Sequence, residues 1–134
     1  MNAQSFSTSF TVAQSPDEVF AAILDPRAWW DGEFEGPTDR VDGEFSYRYA
    51  DMHRSVQRVT ELEPGRRVVW HVVESNLSFV ADHSEWDGTD IVFDIAPAVE
   101  GAVLTFTHEG LTPELECFDM CRPAWQGYLS LIHI

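Results

Sequence analysis

His108, Cys117 and Cys121 carry the softest ligand chemistry in the chain. An imidazole and two thiols could hold zinc, but their spacing matches no recognised zinc signature. Four residues apart on a helix, the thiols share a face and do not suit a disulfide without backbone distortion. They read as small packing groups near a helix start, with His108 at a strand end, and no metal site is expected. Asp82, His83 and Ser84 hold the three groups of a hydrolytic triad. Nearness in sequence is not triad geometry, so the stretch through Glu85 reads as a solvated loop leading to Trp86. There is no glycine-rich phosphate loop, His-Glu-x-x-His, nucleophile elbow or Cys-x-x-Cys pair. No catalytic residue and no cofactor are expected. What remains is aromatic. Tyr47, Tyr49, Trp70, His71, Phe93, Phe106, His108 and Trp125 could line a pocket that is mostly apolar with a few orienting polar groups. Core packing is the competing reading for each one singly. His108 shares the face of Leu104 and Phe106, where an imidazole can orient a ligand, act as a general base or bond a backbone carbonyl.

These residues need elements to position them. Phe6, Thr8, Phe10 and Val12 alternate with Ser5, Ser7, Ser9 and Thr11, the pattern of a strand with one wet face. Ser15 as N-cap, Pro16 at the first helical position and Glu18 closing a capping box predict a short helix. Its apolar stripe is Val19, Phe20, Ile23 and Leu24. Asp25 can cap a second short helix through Ala28, Trp29 and Trp30. Strand signals over Glu44–Tyr49, Arg54–Leu62, Arg67–Val73, Asp90–Ile95 and Ala102–His108, spaced by turns, predict an antiparallel meander. Ser75–Gly88 is ambiguous, since Leu77, Phe79, Val80 and Trp86 make it more than a simple wet loop. Leu115, Phe118, Cys121, Trp125 and Tyr128 follow helical spacing, with Pro123 kinking or starting that helix.

The chain has 134 residues, 44% of them hydrophobic and 23% charged, so it reads as one globular domain. Its 23 acidic residues outweigh 8 basic ones, all arginine, for a net charge of −15. A field of that sign argues against nucleic acid or an anionic membrane as partner. No apolar run is long enough for a transmembrane helix, and residues 1–10 lack the pattern of a signal peptide. The expected compartment is the cytoplasm, with reduced thiols.

Several short motifs occur in order. Pro16-Asp17-Glu18-Val19-Phe20 opens the first helix, and Trp29-Trp30 follows. Glu61-Leu62-Glu63-Pro64-Gly65-Arg66-Arg67-Val68-Val69-Trp70 spans a hairpin. Glu85-Trp86-Asp87-Gly88-Thr89 precedes one strand, and His108-Glu109-Gly110-Leu111 precedes the final helix. Together they resemble the START-like (SRPBCC) superfamily over almost the whole chain, and within it the bacterial homologues of the C-terminal domain of the activator of heat-shock protein 90 ATPase. The resemblance implies an α+β helix-grip fold of the birch-pollen-allergen type. Its parts are a curved antiparallel sheet, two short helices after the first strand and a C-terminal helix over the sheet. Trp125 falls where that family places a helix tryptophan.

The function expected first is binding of an apolar or aromatic small molecule between sheet and C-terminal helix, by Tyr47, Trp70, Phe93, Phe106, His108 and Trp125. The alternatives are a co-chaperone-like module with a protein partner, and a cyclase- or hydrolase-type enzyme of the same superfamily. Family members continue past the helix tryptophan, whereas here Leu129-Ser130-Leu131-Ile132-His133-Ile134 follows. One reading frame of a common sequencing-library transposon end encodes those six residues. The expectation is a single domain over 1–134 with a shortened C-terminal helix and a non-native tail over 129–134.

Overall fold

Alternation of apolar groups with hydroxyls makes residues 6–12 a strand, β1 (Phe6–Val12), in which Phe6 and Val12 are buried and Ser7, Ser9 and Thr11 are exposed. The protein is seen in a computed structural model that describes residues 6–25, 33–49, 53–77 and 86–110. After β1 come α1 (Pro16–Ile23), β2 (Glu33–Glu35), β3 (Glu44–Tyr49), β4 (His53–Glu63), β5 (Arg67–Leu77), β6 (Asp90–Ala98) and β7 (Gly101–Glu109). The strands form one antiparallel sheet in the order β1-β7-β6-β5-β4-β3-β2. The expected helix-grip architecture is present, with α1 the one helix among the described residues. The helix expected around Trp29 and Trp30, the loop expected at Asp82–Glu85, the C-terminal helix expected to carry Cys117, Cys121 and Trp125, and residues 129–134 all lie outside the described residues.

The start of α1 follows its sequence signals. The Ser15 hydroxyl accepts from the Glu18 N–H at 3.2 Å, and the Glu18 carboxylate accepts from the Ser15 N–H at 3.0 Å. The backbone bond from Ser15, and then its hydroxyl, hold the Glu18 carboxyl below the usual value. Val19 and Ile23 are the buried residues of α1, which packs against β5, β6 and β7. At its end the Thr38 hydroxyl donates to the Leu24 carbonyl at 2.7 Å, tying the β2–β3 loop to the helix.

β2, β5 and β6 depart from the sequence reading by more than one residue at an end. β2 is three residues long and reads Glu-Phe-Glu, too short to show alternation. β5 continues through Ser75 and Asn76 to Leu77, because β4 is long enough to pair with it there. Shifts at Val56/Gln57 and Val59/Glu61 put bulges in this pair, and bulges bend and twist a sheet. β6 runs past Ile95 through Pro97. Its pairing to β5 ends at Asp94 opposite Arg67, with a last bond from Ile95 N–H to the Arg66 carbonyl, so Pro97 withholds no donor from β5.

At the β6–β7 turn Gly101 has φ +154°, and a Cβ there would sit 1.9 Å from the Val12 carbonyl oxygen. Only glycine lets the end of β1 approach so closely. Among the described residues, no helix is long and apolar enough to cross a membrane.

The cap gives a direct test. Ser15→Ala should lower stability by about 0.5–2 kcal/mol, read from denaturant midpoints. The Glu18 contribution has a defined pH sign, since its folded value lies below its unfolded one. It is complete above the unfolded value and is lost as pH falls through the folded one. The midpoint difference between wild type and Glu18→Ala should therefore shrink on acidification. A difference that grows in acid would contradict the capping box.

Candidate functional site

Residues paired across an antiparallel sheet share a face, so the register places the candidate residues. Phe6, His108, Ile91, Trp70 and Val59 lie in one row from β1 to β4. Thr8, Phe106, Phe93, Val68 and Leu62 form the next. Phe45, Gln57 and Val72 make a third row, and Phe34, Tyr47, Ser55 and Ser75 a fourth. This inner face is the apolar one, with Trp70, Phe93, Phe106 and His108 fully buried and Tyr47 nearly so.

The aromatic rings on it touch in sequence. Phe6 meets Phe106 at 6.0 Å between centroids, Phe106 meets Phe93 at 5.3 Å, and Phe93 meets Trp70 at 4.9 Å. Trp70 meets Phe45 edge-on at 5.1 Å, Phe45 meets Phe34 at 6.2 Å, and Phe34 meets Tyr47 at 5.1 Å. The chain of rings leads from β1 to β2 and skips only β4.

His108 is held by a polar relay. The turn Trp86–Thr89 docks on β5 through bonds from Gly88 N–H to the Val72 carbonyl (2.9 Å) and from Val72 N–H to the Thr89 carbonyl (2.8 Å). The Thr89 hydroxyl donates its single proton to the Trp86 carbonyl at 2.6 Å and lies 2.8 Å from His108 Nε2. That oxygen can then only accept from the imidazole, which places a proton on Nε2. Trp86 closes the arrangement, edge-on to the imidazole at 4.7 Å.

Gln57 is a further buried polar group on this face. Its side chain is fully buried between Phe45 and Val72, and its amide nitrogen donates to the Ser55 hydroxyl. Its amide oxygen has no hydrogen-bond partner among the described residues.

The opposite face carries the charges. Arg67 bridges Glu61 at 3.0 Å and Asp94 at 2.8 Å, and Arg58 binds Glu44 at 2.7 Å. The bond from Glu44, and then its charge, raise the Arg58 guanidinium above its usual value. His71 belongs here too, with Nδ1 2.7 Å from Asp90. Grouping His71 with Trp70 in one pocket was an error, because consecutive strand residues point to opposite faces.

Tyr47, Trp70, Phe93, Phe106 and His108 thus share one face, while Trp125 lies outside the described residues. Sequence reading missed Ser55, Gln57 and Thr89. For Gln57 a signal was available: Arg54 and Arg58 sit at alternate parity to Ser55, Gln57 and Val59, so outward arginines imply an inward glutamine. Thr89 gave no such signal, since it precedes its strand. Among the described residues no group of three or more His, Cys, Asp or Glu could hold a metal ion.

The relay predicts non-additive losses. Thr89→Val strands the Nε2 proton of His108 and should cost about 1–3 kcal/mol in denaturant unfolding. Combined with His108→Phe, the loss should fall short of the sum of the singles by about 0.5–3 kcal/mol. Strict additivity would show that the two side chains are not coupled.

The family profile described as "Activator of Hsp90 ATPase homolog 1-like protein" matches residues 13–133. Comparison with curated proteins returns no match. Among solved structures, the Aha1 dimer from Colwellia psychrerythraea is similar with a TM-score of 0.79 at 19% identity, over 97% of this chain and 93% of that one. A Mesorhizobium loti protein gives 0.78 at 15% identity, over 97% and 94%. DynU16, a protein in the dynemicin biosynthetic locus, gives 0.71 at 17% identity, over 95% of this chain and 45% of its own. At such identities the structural likeness speaks for the fold, and the profile speaks for the family. With both in place, the chain belongs to the activator of Hsp90 ATPase homolog 1-like family.

Proposed function

We propose that this protein binds an apolar or aromatic small molecule in a cavity between the inner face of the sheet and the C-terminal helix. The observation that carries this reading is the continuous row of rings from Phe6 to Tyr47, with the polar side chains of His108, Gln57 and Ser55 set beside it. A mostly apolar wall with a few placed polar groups is what small-molecule sites present. Tyr47, Trp70, Phe93, Phe106 and His108 supply the wall from the sheet, and Trp125 supplies it from the helix. Similarity to a protein in the dynemicin biosynthetic locus supports a role with small molecules. We place this activity in the cytoplasm, on the strength of the sequence reading.

A second reading is a module that contacts a heat-shock ATPase, supported by the family's description and by the likeness to an Aha1 dimer. Stimulation of ATP hydrolysis by a purified Hsp90, unaffected by inner-face substitutions, would favour it. A cyclase- or hydrolase-type enzyme needs an acid–base pair facing the ligand. His71 and Asp90 form such a pair, but on the opposite face of the sheet.

The binding reading is tested with N-phenyl-naphthylamine, a neutral probe that fluoresces in apolar surroundings. Saturable binding is expected. Phe93→Leu and Phe106→Leu should each weaken it roughly two- to tenfold, the worth of one lost aromatic contact. Glu100→Gln, in the exposed β6–β7 turn, should change nothing. Absence of saturation, or equal affinity in all four proteins, sinks the proposal.

A further inference from the structure

The geometry points to Gln57 as the selector for a neutral ligand that carries a hydroxyl group. This rests on the apolar-ligand reading above and adds the chemistry that the ligand presents at one end.

Gln57 is fully buried on the inner face, flanked in register by Phe45 and Val72. Its amide nitrogen is bonded to the Ser55 hydroxyl, and its amide oxygen is unsatisfied among the described residues. One end of a buried amide therefore waits for a partner. A buried polar group in that state works against folding, and an apolar residue of the same size would not. Packing alone therefore does not account for a glutamine here, whereas an incoming hydrogen-bonding group does.

The class of that group follows from the surroundings. A hydroxyl can donate to the unsatisfied amide oxygen, which is the bond the site lacks. The ligand should be uncharged at this end. The polar side chains placed on the inner face by the register, Thr8, Ser55, Gln57, Ser75 and His108, include no arginine to balance an anion. The net charge of −15 opposes an anion further. Rings of Phe45, Phe34 and Tyr47 crowd the same end of the sheet, which favours a hydroxyl borne on an aromatic ring.

The test is displacement of bound N-phenyl-naphthylamine from the full chain by naphthalene, naphthol and naphthalenesulfonate. In wild type, naphthol should act at about tenfold lower concentration than naphthalene, the worth of one buried hydrogen bond. Naphthalenesulfonate should be the weakest of the three. Gln57→Met, close to glutamine in shape, should erase the difference between naphthol and naphthalene and leave naphthalene unchanged. Gln57→Leu should repeat that result.

Equal potency of naphthol and naphthalene in wild type overturns the inference while the cavity stands. So does a naphthol preference that survives both substitutions, or a tighter sulfonate. Loss of naphthalene together with naphthol in both variants marks the amide as a packing group and overturns it too. If wild type binds no probe at all, the apolar-ligand reading falls first and this inference falls with it.

Discussion

Seven rings, each against the next, cross the inner face from Phe6 on β1 to Phe34 and Tyr47 at the far edge. Such pairs are worth about 0.5–1.5 kcal/mol each beyond the area they bury. The arrangement sets terms for the rest of the sheet. A slip of one residue in any strand would turn its rings to the wet side. The edge-on meeting of Trp70 with Phe45 also reaches across β4, where Val59 and Gln57 are the inner residues opposite them.

Two of the buried polar residues on this face, His108 and Gln57, are treated differently. His108 is built into a relay through Thr89 to the Trp86 carbonyl, with the turn that carries it fastened to β5 by backbone bonds. That network ties one end of the sheet together. Gln57 is secured at one end of its amide only. On the other face, hydroxyl pairs such as Ser7 with Thr107 (3.1 Å) and the carboxylate–arginine pairs meet water. Exposed ion pairs of this kind add little to stability, and the charge they belong to serves solubility.

Much of this frame was legible in the sequence. Serine, proline and glutamate around α1 name their own roles, because capping is local chemistry. Alternation in β1, β3, β6 and β7 named the inner residues correctly, because one face of each is apolar. What escaped was non-local. β2 exists because β3 offers it an edge, and the last residues of β5 are strand because β4 is long enough to receive them. His71 looked like a neighbour of the aromatic set by residue type, and only its parity relative to Trp70 separates them. Thr89 matters through a contact with a residue far along the chain, which no local pattern announces.

The pairing of β1 with β7 joins Ser7 to Thr107 across 100 residues of chain. β1 thus leaves the ribosome well before the strand it pairs with. Until β7 emerges, Phe6 and Phe10 travel on a nascent strand whose apolar side has nothing to lie against. The meander from β3 to β6 can form meanwhile, since its neighbours are hairpins close in sequence. Closing the long loop costs entropy before its contacts return any. The serines and threonines that alternate with the phenylalanines then have a purpose during synthesis as well as after it: they keep the waiting strand half wet, and so less prone to pair with a strand of another chain.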